Sequence, residues 1–164
     1  MTPRARRLPP WGIVAIAGLL AGLLDIVFAF LFYGRQGASP TAILRFIASG
    51  VLGSSAFAGG DLPVALGALV HFFIALCAAA LYAFASRRYR LLVRRPLASG
   101  ALFGVAVYGV MHFIVLPLSR IGFQLQSLHD ASGELFSHIV LFGMVIALGV
   151  ARAHSVSNAR SESS

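Results

Sequence analysis

The chain contains no lysine and few charged residues of any kind. Charged side chains make up 11% of its 164 residues, whereas soluble domains carry about a quarter. Hydrophobic residues make up 59%, and the mean hydropathy is +0.87. So few charges cannot cover the surface of a water-soluble domain of this length. The composition therefore predicts a single domain embedded in a lipid bilayer.

The usual marks of catalysis and redox chemistry are also scarce. Cys77 is the only cysteine, which excludes a disulfide within the chain and any Cys-x-x-Cys motif. The sequence has no phosphate-binding glycine loop and no dinucleotide-binding motif. Ser137 adjoins His138 but would point about 100° away from it on a helix, so the two do not form a dyad. We predict no catalytic residues, and an enzyme is the least favoured class.

Positive charge exceeds negative charge by a wide margin. Thirteen arginines oppose five acidic residues, for a net charge of +8. Such a balance can indicate nucleic-acid binding. Here the arginines cluster at the ends of apolar runs, where they would lie beside an anionic leaflet. The predicted partner is therefore the lipid bilayer and not nucleic acid.

Four apolar segments are long enough to cross a membrane, which requires about 20 helical residues. They cover residues 11–34, 62–85, 97–118 and 134–151. The sequence thus predicts an all-α fold, a bundle of four transmembrane helices.

A fifth, shorter helix is predicted over residues 40–52, between helices one and two. Ser39 followed by Pro40 is typical of a helix start. The helix carries an apolar stripe of Ile43, Leu44, Ile47 and Val51. Its apolar part is too short to span. We predict an interfacial or re-entrant helix on the outer side.

The distribution of arginines predicts the orientation in the membrane. Ten arginines lie before helix one, between helices two and three, or after helix four: Arg4, Arg6, Arg7, Arg87, Arg88, Arg90, Arg94, Arg95, Arg152 and Arg160. The other two loops hold three: Arg35, Arg45 and Arg120. Positively charged loops stay in the cytoplasm. We predict a multi-pass protein of the bacterial inner membrane with both termini cytoplasmic. Residues 1–10 form a basic N-terminal segment, 11–153 the membrane domain, and 154–164 a disordered tail.

Small residues form stripes on three of the helices. Gly18 and Gly22 lie one turn apart on helix one, Gly67 begins a stripe on helix two, and Gly100 and Gly104 begin one on helix three. Small residues let membrane helices approach closely. These faces should point into the bundle, although they could equally serve a homo-oligomer.

Every predicted spanning helix carries an ionisable residue, in the order Asp25, His71, His112 and His138. Counted from the helix midpoints, all four fall about 4 to 8 Å on the outer side of the midplane. Glu134 lies one turn farther out. Charges in this layer are costly and persist by pairing or by facing a wet cavity. We predict that these five residues form one polar cluster, with Arg45 as a charge partner for Asp25 or Glu134.

The cluster leaves several functions open. Histidine titrates near neutral pH, so the cluster could handle protons or a small polar solute. His71, His112, His138 and Glu134 could ligate a transition metal, and two histidines could hold haem in an electron carrier. Alternatively, the cluster belongs to a non-catalytic structural or accessory protein and only holds the helices in register. No cofactor is the favoured expectation.

Three short motifs resemble the YagU-like family of small bacterial inner-membrane proteins. They are VHFFIALCAAALY, MHFIVLPL and GELFSHIV. His71, His112, Pro117, Glu134 and His138 occupy the positions that match the family. The resemblance covers about residues 62–151. It implies the transmembrane helices and the polar layer, and it brings no established activity.

Overall fold

The computed structural model describes residues 10–161, and that range is almost entirely helical, with no strand. Helix α1 is Pro10–Gly34, and α2 is Pro40–Leu52 followed by a 3₁₀ turn, Gly53–Phe57. Helix α3 is Leu62–Arg88, the short α4 is Leu91–Arg94, and α5 is Pro96–Leu118. The last helix, α6, consists of Leu128–Phe136, Ser137–Gly143 and Met144–Ser161. The predicted all-α fold is confirmed.

Five helical stretches of the described chain are long and apolar enough to cross a membrane. They are Pro10–Gly34, Pro40–Phe57, Leu62–Arg88, Pro96–Leu118 and Leu128–Ser157. Their outward faces carry large apolar side chains, such as Leu31, Leu69, Leu102 and Phe113. An apolar surface of this extent suits contact with lipid and not with water.

The last helix differs most from its prediction. It begins six residues before 134, because the Ser127 hydroxyl accepts a bond from the Asp130 amide and caps the helix. Residues 154–161, which the sequence predicts as part of a disordered tail, are helical. The helix continues there because Ala153 is buried and the His154 imidazole bonds the Ser86 hydroxyl of α3. Residues 1–9 and 162–164, and thus most of the predicted basic N-terminal segment, lie outside the described residues.

Helices α1 and α3 pack side by side in opposite directions. Gly18 and Gly22 of α1 lie against Ala75 and Ala79 of α3, where an added Cβ would approach an alanine Cβ to 2.9 Å. Near one end of the pair, the Arg87 guanidinium lies 4.8 Å from the centre of the Trp11 ring. The predicted small-residue stripe therefore faces a neighbouring helix.

Helix α6 runs antiparallel to both α1 and α5. Gly149 of α6 lies against Ala17, and Gly104 of α5 lies against the His138 carbonyl. A Cβ on Gly100 would lie 2.7 Å from the Met144 Cα. The close approach of α5 and α6 thus depends on glycine.

The bundle is tightly packed at the end that holds Arg87 and Arg152, which we call the arginine-rich end. Tyr82 is 2% exposed there, and its ring meets Phe103 of α5 at 4.9 Å between centroids. Ile146 and Val150 of α6 complete this core. Helices α3 and α5 therefore meet near the arginine-rich end.

Helix α2 lies at the opposite end of the bundle. The Ser39 hydroxyl accepts a bond from the Ala42 amide, as its sequence predicts. The Leu44 carbonyl lies against Gly67 of α3, and the Gly50 carbonyl accepts a bond of 3.1 Å from the Arg120 amide just after α5. Helix α2 thus connects α3 to the far end of α5.

Candidate functional site

A cavity of about 680 Å³ lies toward the end opposite the arginine-rich end. Helices α1, α3, α5 and α6 contribute its walls, and α2 contributes Ile43, Phe46 and Ile47. All of the residues that the sequence predicts as a polar cluster line it: Asp25, His71, His112, Glu134 and His138. The structure therefore brings these residues together around one space.

Most of the cavity wall is apolar. Ile26, Ile74, Val107 and Phe142 line it alongside the side chains of α2. Ligand pockets in proteins typically combine such walls with a few polar groups, in volumes of about 300 to 1,000 Å³. The size and the lining match a pocket for a small molecule.

Asp25 on α1 is held by a residue of α6. The Ser137 hydroxyl donates to Asp25 Oδ1 across 2.6 Å, and Ser137 is only 2% exposed. Ser137 therefore positions the Asp25 carboxylate and leaves Oδ2 for a further interaction.

Glu134 has partners on two other helices. The Tyr33 hydroxyl of α1 donates to Glu134 Oε1. The His112 Nδ1 of α5 lies 3.7 Å from Glu134 Oε2, too far for a hydrogen bond but close enough for charge attraction. Glu134 thus connects α1, α5 and α6.

Two of the histidines donate to backbone carbonyls. His71 Nε2 lies 2.8 Å from the Gly22 carbonyl oxygen, and His138 Nδ1 lies 2.8 Å from the Glu134 carbonyl oxygen. A carbonyl only accepts, so each of these nitrogens carries a proton. In the neutral imidazole the other nitrogen is then an acceptor: Nδ1 of His71 and Nε2 of His138.

His112 is the most buried of the three histidines in the cluster. It is 7% exposed, and its ring stacks on Tyr108 at 5.0 Å between centroids. Its Nε2 is buried and has no hydrogen-bond partner among the described residues. A buried polar atom without a partner costs about 1 to 3 kcal/mol. It is therefore a mark of a site where a ligand or water completes the bonding.

Two π-helical segments supply site histidines. Met111–Val115 interrupts α5 and contains His112, and Ser137–Gly143 interrupts α6 and contains His138. Such segments are rare and occur frequently at functional sites. The neighbours Ser137 and His138 both line the cavity.

Arg45 does not pair with Asp25 or Glu134, contrary to the prediction. Its Nη2 donates to the Gly60 carbonyl across 2.8 Å. Among the described residues, the only pair of basic and acidic groups within 4 Å is His112 and Glu134. The prediction of Arg45 as charge partner is wrong because its stretch of α2 packs beside the start of α3.

The five clustered residues do not form a ready metal site. Across residues 10–161, no three His, Cys, Asp or Glu side chains lie close enough to share an ion. Two of the imidazoles use one nitrogen on a carbonyl. The ligand set of His71, His112, His138 and Glu134 is therefore spread around the cavity and not focused on a point.

Sequence reasoning missed three contributing hydroxyl groups. Tyr33 follows Asp25 by eight residues and so lies on the same face of α1, a signal that was available. Tyr108 precedes His112 by one turn, and its hydroxyl donates to Gln126 Oε1 at 3.0 Å. Ser137 had no such signal, because its partner Asp25 lies 112 residues away in the chain.

Comparison with known proteins adds no relative. No family model, curated protein sequence or solved structure matches the chain.

Proposed function

We propose that this protein is a membrane protein that binds a small, mainly apolar molecule in the cavity between its helices. The observation that carries the proposal is the cavity itself, of about 680 Å³, with apolar walls and five converging ionisable residues. The unpartnered Nε2 of His112 supports it, because a ligand would complete that bond.

The proposed topology has four crossing helices, α1, α3, α5 and α6, with α2 as a cover over the cavity. Helix α2 starts just after the end of α1, and its Gly50 bonds the residue that follows α5. Both of these ends lie opposite the arginine-rich end, so α2 has no need to cross. By the distribution of arginines the arginine-rich end faces the cytoplasm. The bacterial inner membrane and the YagU-like likeness are part of this proposal.

A structural role for the cluster is the second candidate. The contacts of Ser137 with Asp25 and of His71 with Gly22 each join two helices. Interhelical hydrogen bonds in membranes are worth about 0.6 kcal/mol on average. This role accounts for the bonded groups, but it leaves His112 Nε2 and the volume of the cavity without an explanation.

A fluorescent apolar probe tests the proposal. N-phenyl-1-naphthylamine would be titrated into the purified full chain in nanodiscs, with empty nanodiscs as the background. We expect saturable binding at one site per chain. The variant Ala29→Trp fills the cavity from α1, whereas the control Ala80→Trp adds the same side chain at an exposed position outside the lining.

The two variants decide the outcome. Binding should be lost in Ala29→Trp and kept in Ala80→Trp, provided that both retain the helical circular dichroism of the parent. Equal probe fluorescence in both variants, or none above the background of empty nanodiscs in the parent, contradicts the proposal and favours the structural role.

A further inference from the structure

Most of the hydrogen-bond donors in the cavity lining are used within the protein. Four hydroxyl groups line the cavity, and each has an acceptor: Tyr33 donates to Glu134, Tyr108 to Gln126, Ser137 to Asp25, and Ser119 to the Leu116 carbonyl. The Gln124 amide donates to the Ile121 carbonyl. The donors left without an acceptor are the Gln126 amide, the second N–H of the Gln124 amide and, while the imidazoles are neutral, the single N–H of His112.

Acceptors, by contrast, remain free. Asp25 keeps Oδ2, because the Ser137 bond uses Oδ1. The proton positions of His71 and His138 leave one acceptor nitrogen on each ring. His112 Nε2 is buried without a partner, and a proton on its Nδ1 would face the Glu134 carboxylate favourably. The site therefore suits a ligand that donates hydrogen bonds.

The charged groups of the lining favour a ligand that carries a positive charge. Three carboxyl groups line the cavity, those of Asp25, Asp130 and Glu134, and no arginine does among the residues the structure describes. Aromatic rings of Phe28, Phe46 and Tyr108 also line it, and ring faces attract cations. A cation with an apolar body would meet complementary charge and apolar walls at once.

We infer that the cavity takes a protonated amine on a compact apolar body, with the ammonium group between the Asp25 carboxylate and the free nitrogen of His112. This inference rests on the proposed function and names its ligand class. The ammonium N–H groups would bond Asp25 Oδ2 and His112 Nε2, and the apolar body would fill the space beneath α2.

Four adamantane derivatives of similar shape test the inference by calorimetric titration of the purified full chain, at mildly alkaline pH. They are 1-adamantylamine, its N,N,N-trimethyl ammonium form, 1-adamantanol and adamantane-1-carboxylate. We expect the amine to bind at least about tenfold more tightly than each of the others, because charged hydrogen bonds contribute about 1.5 to 3 kcal/mol. The trimethyl compound keeps the charge without N–H donors and so separates charge from hydrogen bonding.

Two acid-to-amide variants test whether the ammonium group binds at Asp25. Asp25→Asn removes the charge but keeps an oxygen for the Ser137 hydroxyl, so the fold should persist. It should weaken the binding of 1-adamantylamine at least about tenfold and leave the affinity for 1-adamantanol unchanged. Asp61→Asn, an exposed position outside the lining, is the matched control. If Asp25→Asn fails to fold, His112→Phe is the second variant, with the same expected loss.

The outcomes separate this inference from the proposed function. If the alcohol or the carboxylate binds as tightly as the amine, the ligand class is wrong and the binding cavity stands. If no adamantane compound binds while N-phenyl-1-naphthylamine still does, the inference alone fails. If neither kind of probe binds, both fail.

A phospholipid could supply the same ammonium group. Phosphatidylethanolamine has one, although the described lining offers no arginine for its phosphate. The titration would be repeated in phosphatidylcholine nanodiscs with and without phosphatidylethanolamine. If phosphatidylethanolamine weakens the binding of 1-adamantylamine, the ligand of the cavity is the lipid ammonium group. If the binding is unchanged, the ligand is a free amine.

Discussion

The Ser137 hydroxyl of α6 donates to the Asp25 carboxylate of α1 across 2.6 Å. The bond joins two residues, on different helices, that lie 112 positions apart in the chain. It also determines which oxygen of Asp25 stays available to the cavity, so one contact links the packing of the bundle to the chemistry of the site.

Removing that hydroxyl should destabilise the protein. We expect Ser137→Ala to lower the free energy of unfolding by about 0.6 to 1.7 kcal/mol, from the average to the upper end for interhelical hydrogen bonds in membranes. Thermal unfolding in detergent measures the loss. The control is Ser132→Ala, whose exposed hydroxyl bonds only the His129 carbonyl of its own helix. In the background of Asp25→Ala, Ser137→Ala should cost much less, and an unchanged cost would contradict the coupling.

Two glycines of α5 should respond oppositely to alanine. A Cβ on Gly104 would clash with the His138 carbonyl, whereas a Cβ on Gly109 meets nothing within 4 Å. Gly104→Ala should therefore cost about 1 to 3 kcal/mol through overpacking against α6. Gly109→Ala should be neutral or slightly stabilising, since alanine favours a helix. Equal melting temperatures for the two variants would refute the observed contact of α5 with α6.

Two histidines of the cavity should differ in their effect on stability. His71→Leu removes the bond to the Gly22 carbonyl that joins α3 to α1, so it should cost about 0.5 to 1.5 kcal/mol, the net contribution of one hydrogen bond. His112→Phe removes a buried nitrogen that has no partner, so the melting temperature should change little. Thermal unfolding compares them, and a larger loss for His112→Phe would mean that His112 has a mainly structural role.

Chemical labelling tests the proposed topology. Single cysteines would be placed at Ser55, after α2, and at Ser157, near the end of α6, in the background of Cys77→Ser. We expect an impermeant maleimide to label the cysteine at 55 from outside intact spheroplasts, and the cysteine at 157 only after lysis. Labelling of both from the outside would place the two positions on one side of the membrane and contradict four crossings.

Local patterns predicted most of the helices well. The bounds of α1, α2, α3 and α5 lie within three residues of those predicted, because long apolar runs, Ser39 and Pro40 carry the information locally. The early start of α6 was missed because the segment Leu128–Gly133 is polar. A prediction from hydropathy alone places the end of a helix at the end of its apolar run. The Ser127 cap is a local signal that would have found it.

Long-range contacts explain the errors at the site. Arg45 was expected near Asp25 or Glu134, but its position depends on how the Leu44 carbonyl packs against Gly67, which no local pattern reveals. The two π-helical segments, Met111–Val115 and Ser137–Gly143, were also unpredicted.

The sequence by itself determined a helical, lipid-compatible chain and the positions of its ionisable residues along the helices, because hydropathy and helical rise are properties of local segments. Only the tertiary structure decided that those residues surround a cavity, that α2 adjoins it, and which donors and acceptors remain free. Those features depend on contacts between helices far apart in the chain. Glycines set the spacing of these helices, and the hydrogen bonds between them determine which polar atoms remain available to a ligand.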